Sequence, residues 1–327
     1  MAIHKRKFNP EDDLGFGTQP VMKNQSLIKH DGSINVKRRG LPFFNTADNY
    51  HKLITMRWRK FWVLVLACYL VINTVFAFIY LFIGVENLNG AEGTNTYEHF
   101  WDAFFFSAQT ISTVGYGHIS PRGMATNSVA ALESMMGLLA FALATGLIYG
   151  RFSRPTAKIV YSENLLVSPY RENCRGLMFR LANLRRNTLI DLQIEIIFSY
   201  NEDVNGKKIR RFFPLQLERK NVSILTLSWT VVHPLDDDSP LKDITPEDLK
   251  NNQASFAVLL KAFDDTFSQT VHSRTSYQFE HMVWDAKFKP SFDRDEDGRI
   301  VLDLSRIHEY GEVEPFVKPQ PVHNTKV

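Results

Sequence analysis

Two long runs almost without charge constrain the fold of this chain more than any other feature. Trp62–Val85 contains no charged residue, and Met124–Gly150 contains only Glu133. At a rise of about 1.5 Å per residue, each run is long enough to cross the roughly 30 Å hydrocarbon layer of a membrane as a helix. The sequence therefore predicts two membrane-spanning helices, at residues 61–85 and 123–151.

The segments outside these runs carry nearly all the charge. The net charge of +3 is too small to indicate a nucleic-acid partner. Two cysteines, Cys68 and Cys174, are too few for a disulfide framework or a thiolate metal site, and we expect no cofactor. The polar first thirty residues lack the apolar core of a secretory signal, so the N-terminus is expected to be retained. Residues 1–45 are interpreted as a cytoplasmic arm with little structure of its own, and residues 316–327 as a C-terminal tail.

Basic residues flank the two runs on one side only. They precede the first run and follow the second, whereas Glu86–Phe100 contains no Lys or Arg. The positive-inside rule then predicts that both termini face the cytoplasm. Residues 46–60 show an apolar stripe at Tyr50, Leu53 and Ile54, which is typical of an amphipathic helix lying in the membrane interface.

A half-length apolar segment lies between the spans. Tyr97–Thr110 is too short to cross the membrane, so it predicts a re-entrant helix at residues 97–110, shielded from lipid by protein. Directly after it comes Thr113-Val114-Gly115-Tyr116-Gly117, the five-residue string that builds the ion filter of potassium channels. A chance loop turn is the alternative, and the two flanking spans and the half-length helix disfavour it.

The chemistry of this string explains its composition. A potassium ion gives up its water only to a comparable set of oxygens, which rings of backbone carbonyls from four chains can supply. Gly115 and Gly117 can adopt positive φ, which lets successive carbonyls turn toward one axis. We therefore predict K⁺ sites at Thr113, Val114, Gly115 and Tyr116, and a homotetramer, because one chain cannot close a ring.

The second half of the chain changes to a period of two. Ile190, Leu192, Ile194, Ile196 and Phe198 alternate with mostly polar residues, which is typical of a half-buried strand. Further β-rich runs and the turn signals Asn-Gly and Asp-Gly follow at short spacing. Residues 155–315 are therefore predicted to form an all-β, immunoglobulin-like sandwich in the cytoplasm.

Several strings together resemble one family, the prokaryotic inward-rectifier potassium channels of the KirBac type, over roughly residues 42–312. Besides the filter string, the resemblance is carried by Arg57-Trp58-Arg59, Gly150-Arg151-Phe152-Ser153-Arg154-Pro155, Arg180-Leu181-Ala182-Asn183-Leu184-Arg185, Thr230-Val231-Val232-His233-Pro234-Leu235-Asp236 with Ser239-Pro240-Leu241, and Arg274-Thr275-Ser276-Tyr277. The resemblance implies a passive K⁺ channel in the inner membrane of a prokaryotic cell, blocked by ions such as barium or polyamines.

The resemblance assigns roles along the second span. An acidic residue near the cavity corresponds to Glu133, whose charge must face the bundle interior or water; the alternative is a carboxyl hydrogen-bonded behind the filter without touching ions. Phe141, Thr145 and Tyr149 share a slowly drifting helical face, either pore-lining or packed. The resemblance places the constriction at Tyr149.

Four positions, from the re-entrant helix to the end of the second span, have further expected roles. Gly137 and Gly146 are candidates for helix flexing. Where strong rectifiers carry an acid, this chain has Phe141, which predicts weak rectification unless Glu133 or cytoplasmic acids substitute. Gln109 replaces a filter-supporting glutamate, so a neutral hydrogen-bonded support is expected.

The basic flanks are candidates for binding anionic phospholipid, an expectation that rests mainly on the resemblance. Each such residue gains about 1 kcal/mol near an anionic surface, although topology alone would also place some of them there. They are Arg57, Arg59, Lys60, Arg151, Arg154, Lys158, Arg185 and Arg186. An anchored enzyme and a channel with a Rossmann domain are the competing classes, but the sequence shows no nucleotide loop, nucleophile elbow or HExxH string.

Overall fold

The computed structural model describes residues 28–35, 46–171 and 174–315. The chain divides into two compact units. One consists of residues 40–154, which we call the pore unit, and the other joins residues 1–39 to residues 155–327, which we call the β unit. The division falls between Arg154 and Pro155, where the sequence changes from helical to strand periodicity.

The described part of the pore unit is built from helices. Their bounds are α1 Thr46–Thr55, α2 Trp58–Ile83, α3 Thr96–Ile111 and α4 Met124–Phe152. Both α2 and α4 are long and apolar enough to cross a membrane. Two short strands, β1 Leu88–Asn89 and β2 Ser120–Pro121, pair antiparallel beside α3.

The helix bounds correct the predicted ones at the start of the pore unit. The expected helix over residues 46–60 stops at Thr55, and α2 begins at Trp58 instead of residue 61. Arg57 lies between them with an extended backbone (φ −59°, ψ 141°), which interrupts the helical hydrogen bonding. At its other end α2 stops at Ile83, before residue 85, because Gly84 takes φ +110°.

Three helices pack through one stripe of α2. Asn73, Phe76, Ala77 and Tyr80 recur at helical spacing and are the residues of α2 that face α3 and α4. Ala103 and Phe106 of α3 and Ala130 of α4 complete this small buried cluster. Much of the remaining surface of α2 and α4 is exposed and apolar, as a lipid-facing surface must be.

The β unit is a sandwich of two five-stranded sheets. Its remaining strands are β3 Ile159–Tyr161, β4 Leu165–Tyr170, β5 Cys174–Asn183, β6 Leu189–Val204, β7 Lys207–Leu215, β8 Asn221–Leu225, β9 Ser228–Pro234, β10 Ser255–Asp264, β11 Gln269–Gln278, β12 Met282–Trp284, β13 Ala286–Phe288, β14 Phe292–Arg294, β15 Ile300–Leu302 and β16 Tyr310–Glu312. A short helix, α5 Pro246–Asn251, precedes β10.

The order of the strands places the core between the sheets. One sheet runs β11-β10-β6-β7 with β8 also paired to β6, and the other runs β12-β4-β5-β3 with β9 paired to β5. Leu165 and Phe179 from one sheet meet Phe198 and Phe256 from the other in a single buried cluster. The pairs β13–β16 and β14–β15 lie outside these two sheets.

The arm predicted over residues 1–45 contains a structured part. Residues 28–35 form a turn closed by a bridge between Ile28 and Ile34, and Ile28 is buried. This turn lies against β11, where Ser276 Oγ donates to the carbonyl of Ile28 at 2.6 Å. The expectation of little structure is therefore wrong for these residues, and the rest of the arm and the tail at 316–327 lie outside the described residues.

Candidate functional site

The filter string follows α3 without a break. The backbone N–H groups of Val114 and Gly115 both donate to the carbonyl oxygen of Gln109, at 3.0 Å and 3.3 Å. Asn95 and Glu98 fix the other end of the helix: the Asn95 side chain accepts the backbone N–H of Glu98, and the Glu98 carboxylate accepts that of Thr94. The C-terminal end of the α3 dipole, which is negative, is thus held beside the filter.

The sign of the backbone angle φ alternates along the filter string. Thr113, Gly115 and Gly117 have φ of +57°, +52° and +81°, while Val114 and Tyr116 between them do not have positive φ. Alternate positive and negative φ turn successive carbonyls to the same side of the chain. A Cβ on either glycine would meet nothing within 4 Å, so the conformation and not lack of room demands glycine here.

The filter side chains are open in the single chain. Val114 is 54% exposed and Tyr116 is 79% exposed. A filter buried on all sides by its own chain would leave no surface for other copies. The exposure therefore fits a site that is completed by neighbouring subunits around a common axis.

A buried polar network links the three helices α2, α3 and α4. The Glu133 side chain of α4 is fully buried. Its carboxyl oxygens contact the hydroxyls of Tyr80 of α2, at 2.7 Å, and of Ser107 of α3, in a short hydrogen bond. Ser107 Oγ also lies 3.0 Å from Asn73 Oδ1. Of the two readings of Glu133, this geometry favours the carboxyl braced behind the filter over one facing the ion path.

Three members of this network, Asn73, Tyr80 and Ser107, were not predicted as site residues. Asn73 and Tyr80 are seven residues apart and share one face of α2. A signal was present, because Asn73 is a polar residue inside an otherwise apolar span. Their partners lie on other helices, however, and no local pattern shows which helices meet.

Gly137 packs against the C-terminal end of α3. A Cβ at this position would collide with the backbone carbonyl of Ile111, the last residue of α3. Gly146 is different, since a Cβ there would meet nothing within 4 Å. The close approach of α4 to α3 thus requires glycine at position 137. At position 146 there is room for a side chain, and the role of Gly146 as a hinge stays a prediction.

The candidate pore-lining residues lie on another face of α4. Phe141 is 74% exposed and Tyr149 is 72% exposed, and Thr145, also exposed, donates its hydroxyl to the Phe141 carbonyl. Each step of four residues drifts about 40° around a helix with 3.6 residues per turn. Tyr149 is therefore turned far from the face that carries Glu133, and all three side chains are exposed in the described part of the chain.

Arg151, a candidate lipid contact, is engaged within the pore unit. Its guanidinium donates to the carbonyls of Leu53 at 2.5 Å and Met56 at 2.7 Å. It also lies over the rings of Trp58, 4.4 Å from the centroid, and Phe61, at 4.5 Å. The side chain therefore connects the end of α4 to the last turn of α1 and the first turn of α2.

The other candidate lipid contacts are divided between the units. Arg57, Arg59, Lys60 and Arg154 are exposed on the pore unit. Arg59 and Lys60 line an open groove of about 420 Å³ with Val63, Leu64 and Ala67. In the β unit Lys158 and Arg186 are exposed, and Arg185 donates to Thr156 Oγ1 at 3.1 Å.

Comparisons with known proteins follow the same division of the chain. The description "Inward rectifier potassium channel C-terminal domain" matches residues 159–325, and "Ion channel" matches residues 64–154. The chain is 39% identical over 295 residues to the inward rectifier potassium channel Kirbac3.1 of Paramagnetospirillum magnetotacticum, covering 90% of this chain and 98% of the relative. It is 25% identical over 329 residues to the ATP-sensitive inward rectifier potassium channel 15 of Mus musculus, covering 90% of this chain and 87% of the relative.

These matches confirm the resemblance that the sequence motifs indicated. They also confirm the predicted fold class, since two membrane-capable helices followed by an all-β domain are the architecture of the matched family, and a tetramer fits it. This chain belongs to the inward rectifier potassium channel family.

Proposed function

We propose that four copies of this chain surround a passive K⁺ pathway whose selectivity lies at residues 113–117. The observation that carries the proposal is the alternating backbone of the filter string, with positive φ at Thr113, Gly115 and Gly117. Four such strands present rings of carbonyl oxygens that replace the water around a dehydrated K⁺ ion. No bond is made or broken, so the chain acts as a conductor and needs no catalytic residue.

The supporting groups each have a part in conduction. The carbonyl end of α3 stabilises a cation at the inner end of the filter through the helix dipole. The backbone carbonyl of Gln109 holds Val114 and Gly115 of the filter string in place. Glu133, Tyr80 and Ser107 brace the pore helix from behind, so that the carbonyl rings keep their spacing.

The number of protons available to the network supports a protonated, neutral Glu133 carboxyl. Ser107 has one hydroxyl proton but lies within hydrogen-bond distance of two oxygens, Glu133 Oε1 and Asn73 Oδ1. Asn73 is oriented by its amide nitrogen, which donates to the Tyr69 carbonyl at 2.7 Å. Both contacts are hydrogen bonds when the Glu133 carboxyl carries the second proton, and a neutral acid also avoids a charge in the membrane interior.

The gate is assigned to the cytoplasmic half of α4. Four Tyr149 side chains closing on the axis narrow the path until it loses water, and Phe141 and Thr145 line the pathway above them. Phe141 supplies no negative charge for polyamines, so rectification is weak. Gly146 has the open surroundings that bending requires.

Gating and lipid are connected through Arg151. Because its guanidinium holds the carbonyls of Leu53 and Met56, movement of α1 in the membrane interface is transmitted to the end of α4. The exposed Arg57, Arg59 and Lys60 lie beside this joint and are placed to bind anionic phospholipid. Arg154 of the pore unit and Lys158, Arg185 and Arg186 of the β unit are further candidates for binding anionic phospholipid. The location that follows is the inner membrane of a prokaryotic cell, with both termini cytoplasmic.

Uptake of a tracer into liposomes that contain the purified tetramer tests the proposal. Rubidium or potassium uptake is expected to exceed sodium uptake, to be blocked by barium, and to change when anionic phospholipid is added. The Gly115→Ala variant is the matched control, because alanine disfavours φ +52° and meets no neighbouring atom. A folded wild-type tetramer without selective uptake in any lipid would contradict the proposal.

A further inference from the structure

The turn at residues 28–35 is held on the β unit by a row of side-chain bonds from one strand. Consecutive residues of β11 donate to alternate carbonyls of the turn: Arg274 Nε to Gly32 at 2.7 Å, Thr275 Oγ1 to His30 at 2.8 Å, and Ser276 Oγ to Ile28 at 2.6 Å. A Cβ on Gly32 would collide with the backbone carbonyl of Arg274. The contact is thus close and specific.

Two histidines meet at the centre of this contact. The rings of His30, in the turn, and His281, which follows β11 in a short 3₁₀ helix, stack with centroids 5.2 Å apart and planes 13° from parallel. Tyr277 packs its ring against the edge of His30 at 5.4 Å. Parallel imidazoles attract while at least one is neutral, and they repel when both carry a charge.

Hydrogen bonds define the tautomer of each ring. His30 Nδ1 lies 2.9 Å from the carbonyl oxygen of Ser276, which can only accept, so this nitrogen carries the proton. His281 Nδ1 accepts the backbone N–H of Gln278 at 3.0 Å, so this nitrogen carries none. A second proton on His281 therefore breaks its bond to Gln278, and a second proton on His30 places a cation against the His281 ring.

Other charged groups near the pair do not neutralise it by direct contact. Lys29 and Asp31 flank His30, with Asp31 bound to the backbone N–H of Ser33, and Arg274 and Glu280 flank the pair from β11 and the 3₁₀ helix. Glu247, Asp248 and Lys250 are on α5, which packs against the 3₁₀ helix. Burial and the proximity of His30 hold the pKa of His281 below its ordinary value of 6.5, and Glu280 opposes this shift only in part.

We propose that the stacked His30–His281 pair is a proton-operated latch that holds residues 28–35 on the β unit and releases them on acidification. Docking lowers the pKa of His281, so the docked state is fully favoured above the ordinary histidine pKa of about 6.5 and is lost as pH falls below it. Only residues 36–45 separate this turn from α1 in the sequence. Release of the latch therefore frees a turn that lies ten residues before α1 in the sequence.

Hydrogen–deuterium exchange on the intact tetramer, corrected for intrinsic rates, tests the latch without requiring conduction. Between about pH 8 and pH 5.5, amide protection of residues 28–35 is expected to fall severalfold, because the released turn loses its hydrogen bonds to β11. The double variant His30→Gln/His281→Gln removes both titrating groups and should show no pH dependence. His272→Gln, on the exposed side of the same strand, should behave like the wild type.

A single variant covers the case in which the double variant does not dock. His30→Gln retains a donor for the Ser276 carbonyl and leaves the Gln278–His281 bond intact, and it should lose most of the pH dependence. Equal protection of the wild type at both pH values would overturn the latch. So would a His30→Gln variant as pH-dependent as the wild type, or loss of the dependence in His272→Gln.

Discussion

The two halves of α4 have opposite surroundings although they belong to one continuous helix. Toward the filter, Thr126, Ala130, Glu133 and Gly137 are buried against the other helices. Toward the C-terminal end, Phe141, Leu143 and Tyr149 are each more than two-thirds exposed within the chain. One half is thus fixed by packing and hydrogen bonds, while the other is largely exposed until Arg151 and Phe152, which contact Leu53, Met56 and Trp58.

Under the proposed function, this difference would separate selectivity from gating on a single element. A filter needs carbonyl rings at constant spacing, which the packed half would maintain through Glu133 and Gly137. A gate needs two arrangements of similar free energy, which a largely exposed half allows. We therefore propose that the helix supports a rigid filter and a movable constriction at once, provided that each half keeps its own surroundings.

The largest effect is expected for Glu133→Leu, which removes the hydrogen bonds of the packed half of α4. Leucine leaves the buried Tyr80 hydroxyl without its acceptor and the buried Ser107 hydroxyl without its donor, at about 1–3 kcal/mol each. The tetramer should therefore dissociate at a lower temperature and lose selective uptake. Glu133→Gln, which keeps an acceptor and a donor, should cost far less. Thermal dissociation of the purified tetramer measures the stability of both variants. Equal stability of Glu133→Leu and the wild type would refute the stabilising role of the Glu133 hydrogen bonds.

The second effect compares the two glycines of α4. Gly137→Ala forces a methyl group into the Ile111 carbonyl, and such overpacking costs about 1–3 kcal/mol. Gly146→Ala meets no atom and gains up to about 1 kcal/mol of helix propensity. We expect the first variant to lose stability and the second to keep stability but open less readily. Similar losses of stability in both, measured by thermal dissociation, would remove the distinction between the halves.

The smallest effect is expected at the contact between Arg151, near the end of α4, and the end of α1. Arg151→Gln cannot hold the carbonyls of both Leu53 and Met56, so amide exchange of the residues that end α1 should rise about fivefold, which corresponds to roughly 1 kcal/mol. The exposed Arg154→Gln serves as the control for lost positive charge. If both variants raise exchange equally, Arg151 acts only through its charge.

The features that could be predicted from the sequence are local in the chain. The spans and the filter string are carried by composition and order within short windows, so α2 and α4 were found without a structure, and residues 113–117 could be predicted as a filter. The packed face of α4 was not, because the partners of Glu133 lie 53 residues away at Tyr80 and 26 residues away at Ser107. Periodicity shows that a helix has a buried face but not which side chains meet across it.

The boundary between α1 and α2 was missed for the same reason. The local pattern of residues 46–60 favours one helix, yet the carbonyl of Met56 is held by Arg151, 95 residues further along the chain. Likewise, the polar composition around residues 28–35 does not show that Ser276, 248 residues from Ile28, binds the turn to β11. In each case a distant hydrogen bond decides the local conformation.

The most direct test of the division of α4 is the uptake of K⁺ and Na⁺ by the Tyr149→Ala variant in liposomes, measured beside the wild type. Removing the ring at the movable half is expected to raise K⁺ uptake severalfold while the ratio of K⁺ to Na⁺ uptake stays at the wild-type value, because the filter is supported by the other half. Loss of selectivity in Tyr149→Ala would show that the two halves are not independent and would contradict the account.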